Sequence, residues 1–373
     1  MNRFGILFIA FVLFGSCKEA NSPVTDVPAH SLTKYARLFS IEDYKDFKLL
    51  HIHKGYPGSP SFTYVLSRSS ANIPDSLKNL PFIQVPVKKW IVTSTTHLPA
   101  ISMLHAENTL TAFPGTRYVS SPVFRKKIEE NQIKEIGING RLNTEEVLAM
   151  QPDLLMLFRS GNDIQNDKLF QKNGIPVLYN ADWLETDPLG RAEWIKVFGA
   201  LLDKQAMADS LFRQIEKNYE RVKEKIPRNQ QPPVVFQGGK FGDKFFVPGG
   251  NSYAVRLIKD AGGTYLWKED NHTGSLQLNY ENVLLKLPEA DIWLNPGMYN
   301  NKQELLKDLP VVGKLPVYQR DKIYTYNLKK GATGGVLYFE YSNMHPDWVL
   351  DDLLHIFYPQ DEEYRFHFYD KLP

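Results

Sequence analysis

The hydrophobic positions of the chain fall into short apolar runs that alternate with amphipathic stretches, and this alternation occurs twice. In the first half, the strand-like runs Lys89–Val92 and Leu154–Phe158 bracket the helix-like segment Leu98–Leu104. In the second half, Pro233–Phe236 and Ile292–Leu294 are further strand-like runs. Strands that alternate with helices form βαβ units. We therefore predict an α/β fold with two lobes, each with a mostly parallel sheet flanked by helices.

A seven-residue motif is repeated, once in each half. Leu142–Leu148 and Leu278–Leu284 share the pattern Leu-Asn-x-Glu-x-Val-Leu, and each copy precedes a strand-like run. The repeat predicts two related lobes with equivalent helices at this place. Helix capping alone is an alternative explanation, because asparagine is a good N-cap and a first-turn glutamate suits the positive helix N-terminus.

Between the two halves lies a long stretch with helical periodicity. Asp187-Pro188 is a helix-start signal, a capping residue followed by proline at the first helical position. Large apolar residues then recur at helical spacing, namely Trp194, Val197, Phe198, Leu201 and Leu202. A second amphipathic run, Ala206–Lys225, ends before Pro227. We predict a single long backbone helix that joins the lobes and lets them rock only slightly.

Ahead of the first lobe, the pattern predicts an extra β-hairpin. The β-like runs Phe47–His53 and Ser61–Ser67 flank Gly55–Pro60, whose glycines and prolines form a strong turn signal. The predicted hairpin extension, N-terminal lobe, linker helices and C-terminal lobe occupy residues 31–84, 85–184, 185–226 and 227–373, respectively.

Residues 1–17 have the pattern of an export signal. Arg3 gives a charged start, Phe4–Phe14 is apolar but short for a bilayer span, and two small residues precede Cys17. This resembles a bacterial lipobox, which implies cleavage before Cys17 and its diacylation. Residues 18–30 are polar and predict a flexible tether. An uncleaved anchor helix with an incidental cysteine is the alternative.

Composition limits the partners and cofactors. The 373 residues include 44 basic and 42 acidic side chains without a basic block, which argues against nucleic acid as a partner. A single cysteine forms neither an internal disulfide nor a zinc site. His51 and His53 share one side of a strand, but the nine histidines are otherwise scattered. We therefore predict no metal site and no cofactor.

Four loops at the carboxyl ends of predicted strands are candidates for ligand binding, because ligands of open α/β sheets bind there. Hydroxyl residues in the first loop begin a helix, where free backbone amides hold anions. Two cationic side chains suit an anionic ligand, and glycines allow a ligand close to the backbone. The candidate residues are Ser94, Thr95, Thr96, His97, Arg159, Ser160, Gly239, Lys240, Asn295 and Tyr299.

Structural explanations for these residues stay open. Arg159 and Lys240 are also explained as surface salt-bridge partners, and the Gly238-Gly239 pair as a tight turn. His97 is explained as a capping or hydrogen-bonded residue or as a ligand to a metal or haem iron. Aromatic residues, 13% of the chain, fill cores or line a ligand cleft.

Five motifs along the chain resemble those of one family. They are Ile91–Thr96, Asn143–Leu155, Gly174–Val177, Tyr280–Val283 and Asp347–Leu353. Together they resemble the class III periplasmic binding proteins, which serve vitamin B12, ferric siderophores and haem. The resemblance runs from about Val85 to Pro359. It implies two lobes joined by one backbone helix, with an iron complex or a corrinoid bound in the cleft.

The resemblance also implies partners. Members of this family deliver their ligand to an ABC permease dimer with a cytoplasmic ATPase, and one glutamate per lobe meets arginines on the permease. By position in the repeated motif, these glutamates are Glu145 and Glu281. The N-terminal extension and the long loop Ala112–Ile138 depart from the simplest members, and both bear on the rim of the cleft.

The resulting hypothesis is a binding protein rather than an enzyme. It is exported and lipid-anchored, at the periplasmic face of the inner membrane or in the cell envelope. A surface-anchored receptor that senses the same ligand is one alternative. A lipoprotein hydrolase that uses Ser94 and His97 is another, although the chain contains neither a Gly-x-Ser-x-Gly nor a His-Glu-x-x-His motif.

Overall fold

The computed structural model describes residues 33–138, 141–161, 165–359, 361 and 363–373. The predicted signal peptide, Cys17 and the tether at 18–30 lie outside the described residues. Within the described ranges, no helix is both long and apolar enough to cross a membrane.

A four-stranded sheet precedes the first lobe. Its strands are β1 (Phe39–Asp43), β2 (Lys48–Ile52), β3 (Phe62–Ser67) and β4 (Phe82–Gln84). Strands β1 to β3 pair antiparallel, and β4 pairs parallel to β3. The predicted hairpin is therefore present as β2 and β3. Because side chains alternate along a strand, Leu50 and Ile52 face the main core, whereas Leu49 packs in a small separate cluster with Val65.

The N-terminal lobe is built on a five-stranded parallel sheet. Its elements are β5 (Trp90–Val92), α1 (Leu98–Met103), β6 (Leu110–Phe113), α2 (Pro122–Glu129), β7 (Lys134–Glu135), β8 (Gly137–Ile138), β9 (Arg141–Leu142), α3 (Thr144–Met150), β10 (Leu154–Leu157), α4 (Gln165–Lys172) and β11 (Val177–Tyr179). The sheet order is β11-β10-β5-β6-β7, and β8 pairs with β9 separately. The predicted long loop at 112–138 therefore contains α2, β7 and β8.

Three consecutive helices follow the first lobe, so the linker is not the single long helix that the sequence predicts. They are α5 (Pro188–Glu193), α6 (Ile195–Leu201) and α7 (Gln205–Glu224). Asp187 does cap α5, since its carboxylate accepts hydrogen bonds from the N–H groups of Leu189 and Gly190. The helical path ends after α6, where Asp203 has a left-handed φ of 57°. Helix α7 then packs beside α6. Because both helices bury an apolar face, the apolar residues keep helical spacing on both sides of the break, and the sequence pattern does not reveal it.

The C-terminal lobe contains a second mostly parallel sheet. Its elements are β12 (Val234–Gln237), β13 (Gly239–Phe241), β14 (Lys244–Pro248), α8 (Tyr253–Asp260), β15 (Thr264–Tyr265), β16 (Ser275–Asn279), α9 (Tyr280–Lys286), β17 (Ile292–Leu294), α10 (Lys302–Asp308), α11 (Pro316–Gln319), β18 (Ile323–Thr325), α12 (Leu337–Tyr341), α13 (Pro346–Phe357) and β19 (Asp370–Lys371). The order is β15-β12-β17-β18-β19, with only β19 antiparallel. Strands β13, β14 and β16 form an antiparallel sheet beside it.

One hydrophobic core runs through both lobes. It includes Trp90 from the N-terminal sheet, Trp194 and Phe198 from the linker, and Leu294 from the C-terminal sheet, all buried. Helix α13 packs on both α7 and α8 and extends this core into the second lobe. A shared core of this kind favours small rocking of the lobes over a wide swing.

Candidate functional site

Two adjoining cavities lie at the carboxyl ends of the C-terminal strands. The interlobe cavity, about 410 Å³, lies between the turn after the first lobe, which includes Trp183, and the C-terminal lobe, which includes Tyr253. The aromatic cavity, about 640 Å³, lies on the C-terminal lobe. Both are lined by Asn295 and Tyr326, the residues that directly follow β17 and β18. This is where ligands of open α/β sheets bind.

The aromatic cavity has an apolar wall. Its large side chains are Phe241, Phe246, Met298, Tyr299, Tyr326 and Phe339. Phe241 is 79% exposed, Met298 71% and Phe339 51%. Large apolar side chains that are exposed together around a concave surface mark a binding site rather than a core.

Tyr326 is held in place by its neighbours. Its backbone N–H donates to Asn295 Oδ1 at 3.2 Å, and its ring stacks on Tyr338 with centroids 4.1 Å apart. Asn295 in turn has a left-handed φ of 54° and donates its N–H to the Tyr324 carbonyl at 2.7 Å. Burial raises the pKa of Tyr326 to about 12. The cavity therefore presents a rigid, neutral phenol at physiological pH.

The double glycine serves close packing within the protein. A Cβ at Gly239 would lie 2.6 Å from the Pro296 carbonyl oxygen, in the loop that follows β17. The Gly238 carbonyl accepts a 2.8 Å hydrogen bond from Trp293 Nε1. Gly239 lines both cavities, but the close approach that it permits is to Pro296.

Lys240 and Tyr299 meet at one carboxylate on the rim of the aromatic cavity. Lys240 Nζ lies 2.9 Å from Asp308 Oδ1, and the Tyr299 hydroxyl donates to Asp308 Oδ2 at 2.5 Å. Burial, followed by the hydrogen bond to Asp308, raises the pKa of Tyr299. Because Asp308 already offsets the charge of Lys240, this rim offers a ligand little net positive charge.

The four candidates after β5 are placed differently. Ser94, Thr95, Thr96 and His97 line neither the interlobe nor the aromatic cavity, because α12 packs on their turn. Ser94 Oγ accepts a hydrogen bond from the Thr96 N–H at 3.3 Å and lies 2.9 Å from Thr96 Oγ1. Ser94 therefore bonds within its own turn, whereas the Thr96 hydroxyl also hydrogen-bonds to the buried Asp182.

His97 is fully buried and does not cap α1. Burial lowers its pKa to about 3, so the ring is neutral. Neither ring nitrogen has a hydrogen-bond partner within the described part of the chain. Across the same residues, no three His, Cys, Asp or Glu side chains are grouped to hold a metal ion.

Arg159 lies away from both cavities, in an ion pair of the first lobe. Its guanidinium binds the buried carboxylate of Asp167, with Nε to Oδ2 at 3.1 Å. The Tyr179 hydroxyl donates to the same oxygen at 3.2 Å. Ser160 is exposed in the adjoining loop. The structure thus does not bring Arg159 together with Lys240, as an anion site shared by both would require.

Arg191 is a cavity residue that the sequence pattern does not reveal. Its guanidinium carbon lies 3.6 Å from the ring centroid of Tyr253, and Nη2 donates to the Trp183 carbonyl at 2.8 Å. It lines the interlobe cavity near the buried Asp182. Burial raises the pKa of Asp182, and the charge of Arg191 opposes that rise. Nothing in its amphipathic helical context distinguishes Arg191 from a surface residue.

Glu145 and Glu281 are both exposed, in the first turns of α3 and α9. In the first copy of the motif, Asn143 caps its helix by accepting from the Glu146 N–H at 3.3 Å. In the second copy, Asn279 makes no such cap, and its Oδ1 accepts from Lys244 Nζ at 2.6 Å. Helix capping therefore accounts for one copy of the motif and not for the other.

Comparison with known proteins gives the family. The model of the periplasmic binding protein family matches residues 103–328, more than half of the chain. An uncharacterized lipoprotein of Methanocaldococcus jannaschii is 25% identical over 302 residues, which cover 74% of this chain and 72% of that protein.

Two solved structures share the fold. A periplasmic heme binding protein from Pseudomonas aeruginosa superposes with a TM-score of 0.59 at 19% identity, over 77% of this chain and 98% of that one. The ABC-type Fe3+-hydroxamate transport system of Saccharomonospora viridis superposes with a TM-score of 0.54 at 17% identity, over 74% of this chain and 94% of that one. With two α/β lobes and a match over most of their length, the chain belongs to the class III periplasmic binding proteins.

Proposed function

We propose that the chain is the substrate-binding component of an ABC importer. It captures a bulky ligand in the adjoining interlobe and aromatic cavities and delivers it to a permease dimer with a cytoplasmic ATPase. The aromatic cavity carries this proposal, because its exposed Phe241, Met298 and Phe339 suit a ligand with a broad apolar face. Siderophore complexes, haem and cobalamin-like corrinoids have such faces.

The charged side chains around the two cavities suggest how a bound ligand would be oriented. Lys240 is paired with Asp308 at the rim, and Arg191, beside the buried Asp182, places a guanidinium in the wall of the interlobe cavity. A ligand with an apolar body and an anionic group would place its body on the aromatic wall and its anionic group toward Arg191. The structural relatives named for heme and for Fe3+-hydroxamate support this ligand class.

The ligand class can be tested with purified protein and three probes, hemin, a ferric hydroxamate and cyanocobalamin. Quenching of tryptophan fluorescence should report binding of one of them. Phe241→Ala combined with Met298→Ala should weaken that binding about tenfold or more, because each side chain contributes about 1–2 kcal/mol when a ligand buries it. Leu285→Ala is the matched control, since Leu285 is 78% exposed on α9, outside both cavities.

Equal affinities of the double variant and the control would remove the aromatic cavity from the site. Uptake of the labelled ligand by cells with and without the protein separates import from sensing, since a receptor leaves uptake unchanged. Recovery of the ligand in unaltered form after long incubation separates binding from hydrolysis.

We also propose that Cys17 carries the lipid anchor, in keeping with the lipoprotein relative. Cys17→Ser should abolish both processing and lipid attachment, because the chain has no other thiol. Metabolic labelling with a radioactive fatty acid measures this directly. Label that persists in the Cys17→Ser protein would contradict the lipobox interpretation.

A further inference from the structure

The residues between β18 and α13, 326–345, form an arm that extends from the C-terminal lobe onto the N-terminal lobe. Its tip is a tight turn in which the Gly331 N–H donates to the Gly335 carbonyl at 2.8 Å. The Leu337 N–H donates to the Lys329 carbonyl at 3.0 Å and closes the base of this turn. Helix α12 then leads back toward α13.

The arm contacts the N-terminal lobe through a buried carboxylate and through two further side chains, Thr333 to the Val119 carbonyl at 3.4 Å and Asn343 to Asp182 Oδ2 at 3.1 Å. Glu340 is 1% exposed, and its two oxygens accept hydrogen bonds from the N–H groups of Ser120 at 2.6 Å and Ser121 at 2.9 Å. The Ser120 hydroxyl donates to the Gly335 carbonyl at 3.0 Å. Burial raises the pKa of Glu340 to about 7, and the two amides oppose that rise. Two hydrogen bonds from successive amides to one carboxyl group are directional and fix one relative position of the arm and the N-terminal lobe.

The tip of the arm fits the N-terminal lobe at van der Waals distance. A Cβ at Gly335 would lie 2.3 Å from the Tyr118 carbonyl oxygen, and a Cβ at Gly331 would lie 2.7 Å from the Ser120 Cβ. Only glycine permits this approach of the two backbones. The contact is therefore specific in shape as well as in hydrogen bonding.

The same arm forms part of the ligand cavities. Tyr326 and Phe339 line the aromatic cavity, and Tyr338 stacks on Tyr326. Phe339, at the cavity, and Glu340, at the N-terminal lobe, are neighbours on α12. A displacement of α12 would therefore change the cavity wall and the interlobe contact together.

The turn on which the arm packs contains a buried group without hydrogen-bond partners among the described residues. Helix α12 covers the turn that contains His97, whose ring nitrogens have no partner within the described residues. A buried polar group of this kind is rare in folded proteins and calls for an explanation. The His97 ring lies 6.1 Å from the ring of Phe198 on α6, centroid to centroid, so the arm and the linker helix both border this turn.

We propose that the arm is a clasp that opens to admit ligand and closes through Glu340. In the open state, the turn at Ser94–His97 becomes the N-terminal wall of the ligand site. In the closed state described above, the same turn is covered. The proposed function supplies only the ligand that would enter. The opening of the arm is a property of the protein without ligand and can be tested without it.

Labelling with diethyl pyrocarbonate, followed by peptide mass spectrometry, tests the clasp without any ligand. The reagent acylates neutral imidazoles that it can reach. Glu340→Gln keeps the side-chain shape but presents an NH2 group to one of the two amides. It should raise the labelling rate of His97 about tenfold. Gly335→Ala forces the tip away from Tyr118 and should raise that rate as well.

Three controls accompany the measurement. Glu289→Gln removes an exposed carboxylate elsewhere in the C-terminal lobe and should leave His97 protected. His272, 74% exposed, should react equally in all variants. His355 packs on Tyr364 with ring centroids 3.6 Å apart, so a rise in its labelling reports global unfolding. Faster labelling of His97 with constant His355 supports the clasp. Unchanged His97 in both Glu340→Gln and Gly335→Ala overturns it, whichever probe the cavities bind.

Discussion

Exchange of both Glu145 and Glu281 for arginine is expected to abolish ligand uptake while ligand affinity stays unchanged. Each glutamate is exposed at the start of a helix, in equivalent places of the two lobes. A permease dimer presents two equivalent surfaces, so one carboxylate per lobe matches its symmetry. Arginine is the natural partner on the permease, because its planar fork binds a carboxylate with two hydrogen bonds.

The expected loss is large because the proposed docking would bury both ion pairs. Exposed ion pairs contribute roughly 0–1 kcal/mol, but loss of one partner at a docked interface costs about 2–5 kcal/mol. Two such losses, with like charges now opposed, reduce uptake by about 100-fold or more. Uptake of labelled ligand in cells that lack the native protein measures this.

The matched control is Glu130→Arg with Glu289→Arg, which also reverses one exposed carboxylate in each lobe. Near-normal uptake by this pair would show that position, rather than net charge, matters. If the repeated motif only capped helices, the variant with Glu145→Arg and Glu281→Arg would lose a few tenths to about 1 kcal/mol of stability and still support uptake. Normal uptake by that variant would remove the docking assignment.

The parts of the fold that the sequence predicts are those with a local signal. The strands at Trp90–Val92 and Ile292–Leu294 are short apolar runs bounded by turn residues, and both are present as buried parallel strands. The hairpin of β2 and β3 follows from its Gly- and Pro-rich turn. The two lobes follow from the repeated motif, since both copies begin a helix.

The aromatic cavity has no comparable local signal. Phe241, Met298 and Phe339 are far apart in the chain and stand in segments without periodicity. Only the sheet order places the loops after β12, β17 and β18 side by side. The rule that ligands bind at strand ends predicts the two loops that contain Phe241 and Met298, with Gly239, Lys240, Asn295 and Tyr299 as the candidate residues, but it does not predict Phe339.

The N-terminal half of the predicted site illustrates a second limit. The rule places Ser94–His97 at a strand end, and the structure has them there. The arm that covers them comes from residues 326–345, a polar and aromatic stretch without helical or strand periodicity. Local patterns predict which loops lie at strand ends, whereas whether such a loop lines a cavity depends on contacts between distant segments.

The linker shows the same limit for buried charge. In the sequence, Glu185 and Glu193 have no feature that distinguishes them from exposed polar residues. Both are nevertheless buried, and their carboxylates accept hydrogen bonds from the backbone of residues 34–38. Glu185 accepts hydrogen bonds from the N–H groups of Arg37 and Leu38, each at 2.9 Å. Five successive amides, from residue 34 to residue 38, thus end on two carboxylates of the linker.

Glu193→Ala is expected to cause a large loss of stability. Its fully buried carboxylate accepts from the N–H groups of Lys34, Tyr35 and Ala36 at 2.8–3.0 Å and pairs with Lys196 Nζ at 2.7 Å. Removal leaves three donors without this acceptor and takes one carboxylate partner from the buried Lys196 ammonium. Loss of one partner of a buried pair costs about 3–5 kcal/mol.

Thermal unfolding followed by circular dichroism should show a melting temperature roughly 5–10 °C lower. Limited proteolysis should cut the Glu193→Ala protein near residues 34–38, because their amides are no longer held. Glu216→Ala is the matched control: Glu216 contacts the side chains of the same segment, Lys34 Nζ at 2.6 Å and the Tyr35 hydroxyl at 2.8 Å, but near the surface. It should cost no more than about 1 kcal/mol. Equal destabilisation by the two variants would show that the buried carboxylate of Glu193 has no special part in fastening the N-terminal sheet to the linker.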